Sequence, residues 1–233
     1  MPATDAVLLD VGGIFYLPDH DVIAGALARS EFEVDRELLD LAHYSGAARF
    51  TTDYEGELDW HLFWGRYLDT YVDTLGVPDD LRADALEHLG AEFASAAMWS
   101  RAIEGAKEGL AALLSAGVRV GIVSNADGSI GARLRQDEVL QVGAGMGVSV
   151  ECVIDSGEVG VQKPDPRIFR IALDAMAIEP EQAWYVGDMP GIDVVGARAA
   201  GLYPILMDPF GLHDDADYAA VRSLAEVAAR ALG

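Results

Sequence analysis

Apolar and polar positions follow two different rhythms along this chain. Ala6-Val7-Leu8-Leu9 is a short apolar run that stops at Asp10, with Gly12 and Gly13 close behind. Such a run, bounded by turn residues, predicts a strand covered on both faces, and the glycines let the chain leave it sharply. Pro18-Asp19 is a turn signal, and from there the strand pattern disappears. Positions 22–29, 36–44, 58–75 and 81–94 carry apolar residues at helical spacing, with Gly56-Glu57 and Pro78-Asp79-Asp80 as helix starts. An all-helical block of roughly 75 residues is expected, inserted after a single strand.

Strand and helix then alternate to the end. Helices are predicted at 104–116, 130–139, 166–176, 191–200 and 218–232, and strands at 118–123, 148–154, 183–186 and 204–207. Gly117 closes the first of these helices and Pro166 opens the third. This alternation implies parallel strands joined by right-handed crossovers. The expected fold is α/β: a doubly wound parallel sheet core, residues 1–17 and 98–233, interrupted by a helical cap at 18–97.

In a parallel sheet the strand ends share one edge, so residues far apart in sequence meet there. Asp10 ends the first strand, Ser124-Asn125 a second and Asp188 a later one, while Lys163-Pro164 lies in the loop before the 166–176 helix. Two carboxylates suit a hard divalent cation such as Mg²⁺. A hydroxyl, loop N–H groups and a lysine suit a phosphoryl group. Each residue taken alone also has a plainer reading. Ser124, Asn125, Asp188 and Asp193 could cap helices, and Lys163 could be a solvated loop lysine.

Composition narrows the partners. The 233 residues allow one large domain, or a core with a smaller second one. A net charge of -23 argues against nucleic acid and anionic membrane surfaces, and means that an anionic substrate needs local cations. Lysine occurs only at Lys107 and Lys163. Cys152 is the single cysteine, which excludes an intrachain disulfide and a thiolate-rich metal site; within its apolar run it reads as a buried, inert thiol. No segment approaches the length of a membrane span, and the first apolar run is too short for a signal peptide. A cytoplasmic location is expected.

Four stretches, in this order and spacing, resemble the motifs of the haloacid dehalogenase superfamily: 8–13 (LLDVGG), 121–125 (GIVSN), 162–165 (QKPD) and 187–193 (GDMPGID). The resemblance spans essentially the whole chain. It implies a Rossmann-like core with a helical cap and a Mg²⁺-dependent hydrolase acting on a small phosphorylated metabolite. Asp10 would attack phosphorus and become an aspartyl-phosphate. Mg²⁺ would be held by Asp10, Asp188 and the backbone carbonyl of Gly12. Ser124 and the backbone at Asn125 would hold phosphate oxygens, and Lys163 would neutralise the nucleophile and the transferring oxygens. Asp193 would orient Lys163 or a metal-bound water.

The chain departs from the family pattern at one place. Phosphatases of the family usually carry a second aspartate, the general acid and base, two positions after the nucleophile. Gly12 stands there, and Ile14 stands where a threonine is common. Loss of that proton transfer is worth about two to four orders of magnitude in rate. A phosphatase selective for good leaving groups is expected, or one borrowing an acid from His20 or Asp19. Two other readings stay open: a 2-haloacid dehalogenase-type hydrolase, and a non-catalytic binding or regulatory protein of the same fold. Trp60, Trp64, Tyr67 and Tyr71 form an aromatic stripe at helical spacing, with Trp64 and Tyr67 assigned to the core. His61 and Arg66 flank it, and Arg101 is the better candidate for an anionic substrate.

Overall fold

The computed structural model describes residues 1–49, 59–213 and 216–232. β1 (Ala6–Leu9) and β2 (Tyr16–Pro18) precede four helices, α1 (His20–Arg29), α2 (Leu39–Ala48), α3 (Trp60–Leu75) and α4 (Arg82–Phe93). β3 (Trp99–Ala102) and α5 (Ala106–Ser115) lead to β4 (Arg119–Ser124) and α6 (Ile130–Gln136). Then come β5 (Leu140–Val142), β6 (Val148–Val150), β7 (Cys152–Asp155), α7 (Ser156–Val159) and α8 (Pro166–Met176). β8 (Ala183–Gly187), α9 (Val195–Ala200), β9 (Tyr203–Met207), β10 (Ala219–Val221) and α10 (Leu224–Ala231) complete the chain.

Six strands form one parallel sheet in the order β10-β9-β8-β1-β4-β7. β1 is central, and its unbroken apolar run is explained by its neighbours on both sides. Val7 and Leu9 enter the core on one face, whereas Ala6 and Leu8 enter the core on the other. Helices α1, α2, α3 and α4 have an apolar cluster of their own, built around Ile23, Leu27, Tyr71, Leu75 and Leu89. They lie in the chain between β2 and β3, which pair antiparallel. Among the described residues, no helix is long and apolar enough to cross a membrane.

The elements differ from expectation where tertiary pairing overrides local pattern. The predicted 148–154 strand is two strands parted at Glu151, whose carboxylate turns outward to accept from Arg119 Nε at 2.7 Å. β7 joins the main sheet, and β6 pairs instead with β5. The predicted 218–232 helix begins as β10, on the sheet edge beside β9. Ser223, whose hydroxyl accepts from Glu226 N, caps the helix, which starts at Leu224, six residues later than expected. β2 and β3 are too short to show a period, and Pro18-Asp19 is the end of a strand followed by the N-cap of α1. The 191–200 helix opens with a π-helical turn at Pro190–Val194. The Gly56-Glu57 signal and Leu58 fall outside the described residues; from Trp60 the helix is capped by Asp59, which accepts from the N–H groups of His61 and Leu62.

Cys152 is buried, and burial pushes its thiol up to about 11. Native protein treated with iodoacetamide at pH 8 should therefore show no carbamidomethylated Cys152 by mass spectrometry, and full labelling after denaturation. Labelling of the native fold would contradict this packing.

Candidate active site

Asp10 leaves β1 with its N–H donating to Val186 O at 2.9 Å, so the residue is tied to β8 as it emerges. Two glycines allow the surrounding loops to close in on the strand ends. Gly13 has φ +66°, and a Cβ there would lie 2.3 Å from Asp188 Cγ, so only glycine lets the loop pass this close to that carboxylate. A Cβ at Gly187 would lie equally close, 2.3 Å, to Asp193 Cγ. Asp193 folds back over the strand end, where its Oδ2 accepts from Met189 N at 2.9 Å. Ser124 closes β4. The Asn125 amide clamps the backbone of Lys163, accepting from its N–H at 2.7 Å and donating to its carbonyl at 3.0 Å.

These contacts set the Lys163 side chain under the sheet edge, 2% exposed. Its Nζ lies 2.7 Å from Asp10 Oδ2 and 2.8 Å from Asp193 Oδ1, and donates to Tyr185 OH at 2.8 Å. Three partners take its three protons. Burial opposes the ammonium charge, but Asp10 and Asp193 outweigh it and hold Lys163 above the usual lysine range. Burial drives the Asp10 carboxyl the other way, to about 7; Lys163 resists that rise, and Asp193 and Asp188 add to it. Burial also raises Asp188, against the pull of His43.

Asp10, Asp188 and Asp193 each offer an oxygen within 4.8 Å of the others. Asp10 Oδ1 and Asp188 Oδ1 are buried with no hydrogen-bond partner, a costly arrangement for carboxylate oxygens. Three carboxyl groups face the single ammonium of Lys163, a surplus of acidic oxygens that suits a divalent cation. Hard oxygen donors, orphaned oxygens and that surplus all fit a small hard metal ion. Asp10, Gly12, Ser124, Asn125, Lys163, Asp188 and Asp193, predicted from four separate stretches, all line one cleft of about 350 Å³.

Residues 4–201 match the family of haloacid dehalogenase-like hydrolases. The chain belongs to that family. It is 52% identical over 67 residues to phosphoserine phosphatase of Thermus thermophilus, covering 29% of this chain and 27% of that protein. Against mouse haloacid dehalogenase-like hydrolase domain-containing protein 3 it is 35% identical over 133 residues, 57% of this chain and 50% of the relative. The matches thus span between about a quarter and a half of these relatives' own lengths. A solved haloacid dehalogenase-superfamily hydrolase from Ehrlichia chaffeensis shares the fold, with TM-score 0.59 at 17% identity over 100% of both chains.

In this family member several side chains expected around the site lie elsewhere. His20 is bonded to Asp40 at 2.9 Å, and Asp19 caps α1 and accepts from Ser100 Oγ at 2.8 Å. Neither lines the cleft, so neither stands ready as a borrowed acid. Arg101 is drawn onto Asp40 and also lies outside the cleft lining, as do the exposed His61 and Arg66. Tyr67 is core as expected, and the half-buried Trp64 packs against that core while also lining the cleft with the half-buried Trp60.

Two contributors carried no sequence signal. His43, fully buried on α2, reaches across from the helical block, placing Nε2 3.0 Å from Asp188 Oδ2 and Nδ1 2.9 Å from Tyr67 OH. The imidazole thus ties Asp188 to the Tyr67 hydroxyl through its two ring nitrogens. Tyr185 reads as one more apolar strand residue, yet its hydroxyl links Lys163 to Asp193 Oδ1 at 2.9 Å. A lone histidine or tyrosine at an apolar position looks like core; only its partners distinguish it.

Proposed function

We propose that this hydrolase is a Mg²⁺-dependent phosphomonoesterase that acts on a small phosphorylated metabolite through an aspartyl-phosphate on Asp10. The observation that carries the reading is the pair of orphaned oxygens, Asp10 Oδ1 and Asp188 Oδ1, beside a lysine-held nucleophile. Asp10, Asp188 and the carbonyl of Gly12 are the groups that would hold the ion. When bound, it neutralises phosphate charge and the residual charge of the cluster. The phosphatase name of the Thermus relative points the same way.

Lys163 orients the Asp10 carboxylate through Oδ2 and offsets charge as the attacking oxygen approaches phosphorus. Asp193 and Tyr185 fix the ammonium from the far side. Ser124 and the backbone N–H at Asn125 receive phosphate oxygens, while the Asn125 side chain keeps Lys163 in place. His43 holds Asp188 Oδ2 and so turns Oδ1 toward the cluster. Residues 18–97 serve as a cap over a core made of 1–17 and 98–233.

The test uses purified protein with 4-nitrophenyl phosphate and with 2-chloropropionate, each with Mg²⁺ or with EDTA. Phosphate release that depends on Mg²⁺, and no chloride release, is the expected result. Chloride release in EDTA would identify a dehalogenase instead. Mg²⁺ and phosphate binding without turnover would identify a binding protein.

A further inference from the structure

The cleft beyond Asp10 has an unusual wall. Trp60, Phe63 and Trp64 of α3, Phe93 of α4 and Trp99 of β3 line it from the helical side. They pack edge to face: Trp60 on Phe63 at 5.7 Å and 76°, Phe63 on Trp64 at 5.1 Å and 80°. Phe63 and Phe93 are buried, whereas Trp60, Trp64 and Trp99 are half-buried; half-exposed indoles inside a concave site mark where an apolar ligand sits, and this edge-on geometry favours another flat ring.

Position 12, two residues beyond Asp10, has no side chain. A Cβ built there would lie 3.7 Å from two Trp99 indole carbons, in ordinary contact, so position 12 adjoins an apolar ring and supplies no proton donor. No other described residue lining the cleft fills the role. Outside the Asp10, Asp188 and Asp193 cluster, the titratable side chains lining it are Tyr16, Asp127, Arg133 and Lys163. Tyr16 donates its proton to Asp137 at 2.6 Å. Asp127 accepts from Ser129, which holds its carboxyl below the usual range and leaves it ionised. Arg133, packed over the Tyr16 ring, is a permanent cation. The protons of Lys163 are committed to Asp10, Asp193 and Tyr185.

From these two features we infer that the substrate is the phosphate monoester of a phenol, an aryl phosphate. The inference rests on the phosphomonoesterase reading and adds the leaving group to it. Asp10 attacks phosphorus, the P–O(aryl) bond breaks, and its electron pair departs as phenolate, which is protonated by solvent after release. Water then attacks phosphorus of the aspartyl-phosphate. The P–O(Asp10) bond breaks, the carboxylate returns, and both protons of the water leave on dihydrogen phosphate. Phenols have pKa about 10, whereas alkanols lie near water at about 16, so only the former leave readily without an acid. The aromatic wall then recognises the ring that this chemistry requires.

Three esters of similar size separate the two contributions, with Mg²⁺ present: phenyl, benzyl and cyclohexyl phosphate. Phenyl phosphate should exceed cyclohexyl phosphate in kcat/KM by about 100-fold or more, the size of a missing general acid. Benzyl phosphate, aromatic but with an alkoxide leaving group, should share the low kcat of the cyclohexyl ester and the low KM of the phenyl ester. Trp60→Ala should raise the KM for phenyl and benzyl phosphate about 5- to 10-fold, with inhibition by inorganic phosphate unaltered. Equal kcat/KM for phenyl and cyclohexyl phosphate would overturn this inference alone. Failure to hydrolyse any phosphate monoester would overturn the phosphomonoesterase reading and the inference with it.

Discussion

Asp10→Asn should abolish the proposed phosphate-ester turnover and leave the fold intact. The amide keeps the shape of the carboxyl but cannot act as the nucleophile, and losses of about 10⁴-fold or more are typical when a covalent nucleophile is removed. The fold should survive because the wild-type carboxyl is itself held at a disadvantage. Burial raises it to about 7, and Asp193 and Asp188 reinforce burial against Lys163. In asparagine that unfavourable charge is gone, while Lys163 keeps Asp193 and Tyr185. The sign of the pH dependence is set by the same shift. A carboxyl whose value is raised on folding favours the folded state while it is protonated in both states, and that contribution is lost as pH rises from about 4 to about 7. In EDTA, the melting temperature of wild type should therefore fall relative to Asp10→Asn across that interval. A variant retaining a tenth of wild-type turnover would rule Asp10 out as nucleophile, and parallel melting curves would show that its charge is not penalised.

Lys163→Met should be nearly as damaging, and it strikes stability as well as rate. Methionine fills similar volume, but Asp10 and Asp193 lose the ammonium that both contact, at 2.7 and 2.8 Å. Removing one partner from a buried charge cluster typically costs about 3–5 kcal/mol, because the remaining charges stay buried and uncompensated. Turnover should fall by about 10³-fold, the scale for losing one preorganised charge at the reacting group. Lys163→Arg should not restore it. The ammonium serves three acceptors from a compact centre, and a planar guanidinium in the same enclosed volume cannot reproduce those directions. Urea unfolding together with phosphate release would measure both effects. Wild-type stability in the methionine variant would show that the ammonium is not needed to offset the buried carboxyl groups.

The sheet was legible because its cause is local. Ala6-Val7-Leu8-Leu9 has no polar position, and a strand with that pattern is stable only with apolar cover on both faces, which the cores above and below β1 supply. The site residues were legible for a related reason. Asp10, Ser124 and Asp188 each close or follow a strand of one parallel sheet, so topology alone carries them to one edge. Short strands escaped notice because three residues cannot show a period: Tyr16–Pro18 reads as a turn, and 219–221 as the start of a helix until β9 offers it a partner.

The order of residues was enough to specify the scaffold and the charges at its edge: a parallel core, a helical block, a carboxylate at position 10 and no side chain at position 12. The surroundings of those groups emerged from three-dimensional packing. His43 meets Asp188 across 145 positions of sequence, Tyr185 bridges Lys163 and Asp193, and Trp99 lies in contact distance of a Cβ at position 12. Periodicity reports which face of an element is apolar, a property of neighbours three or four residues away. It cannot report which buried polar atom will find which partner, because that is settled by the packing of elements distant in the chain.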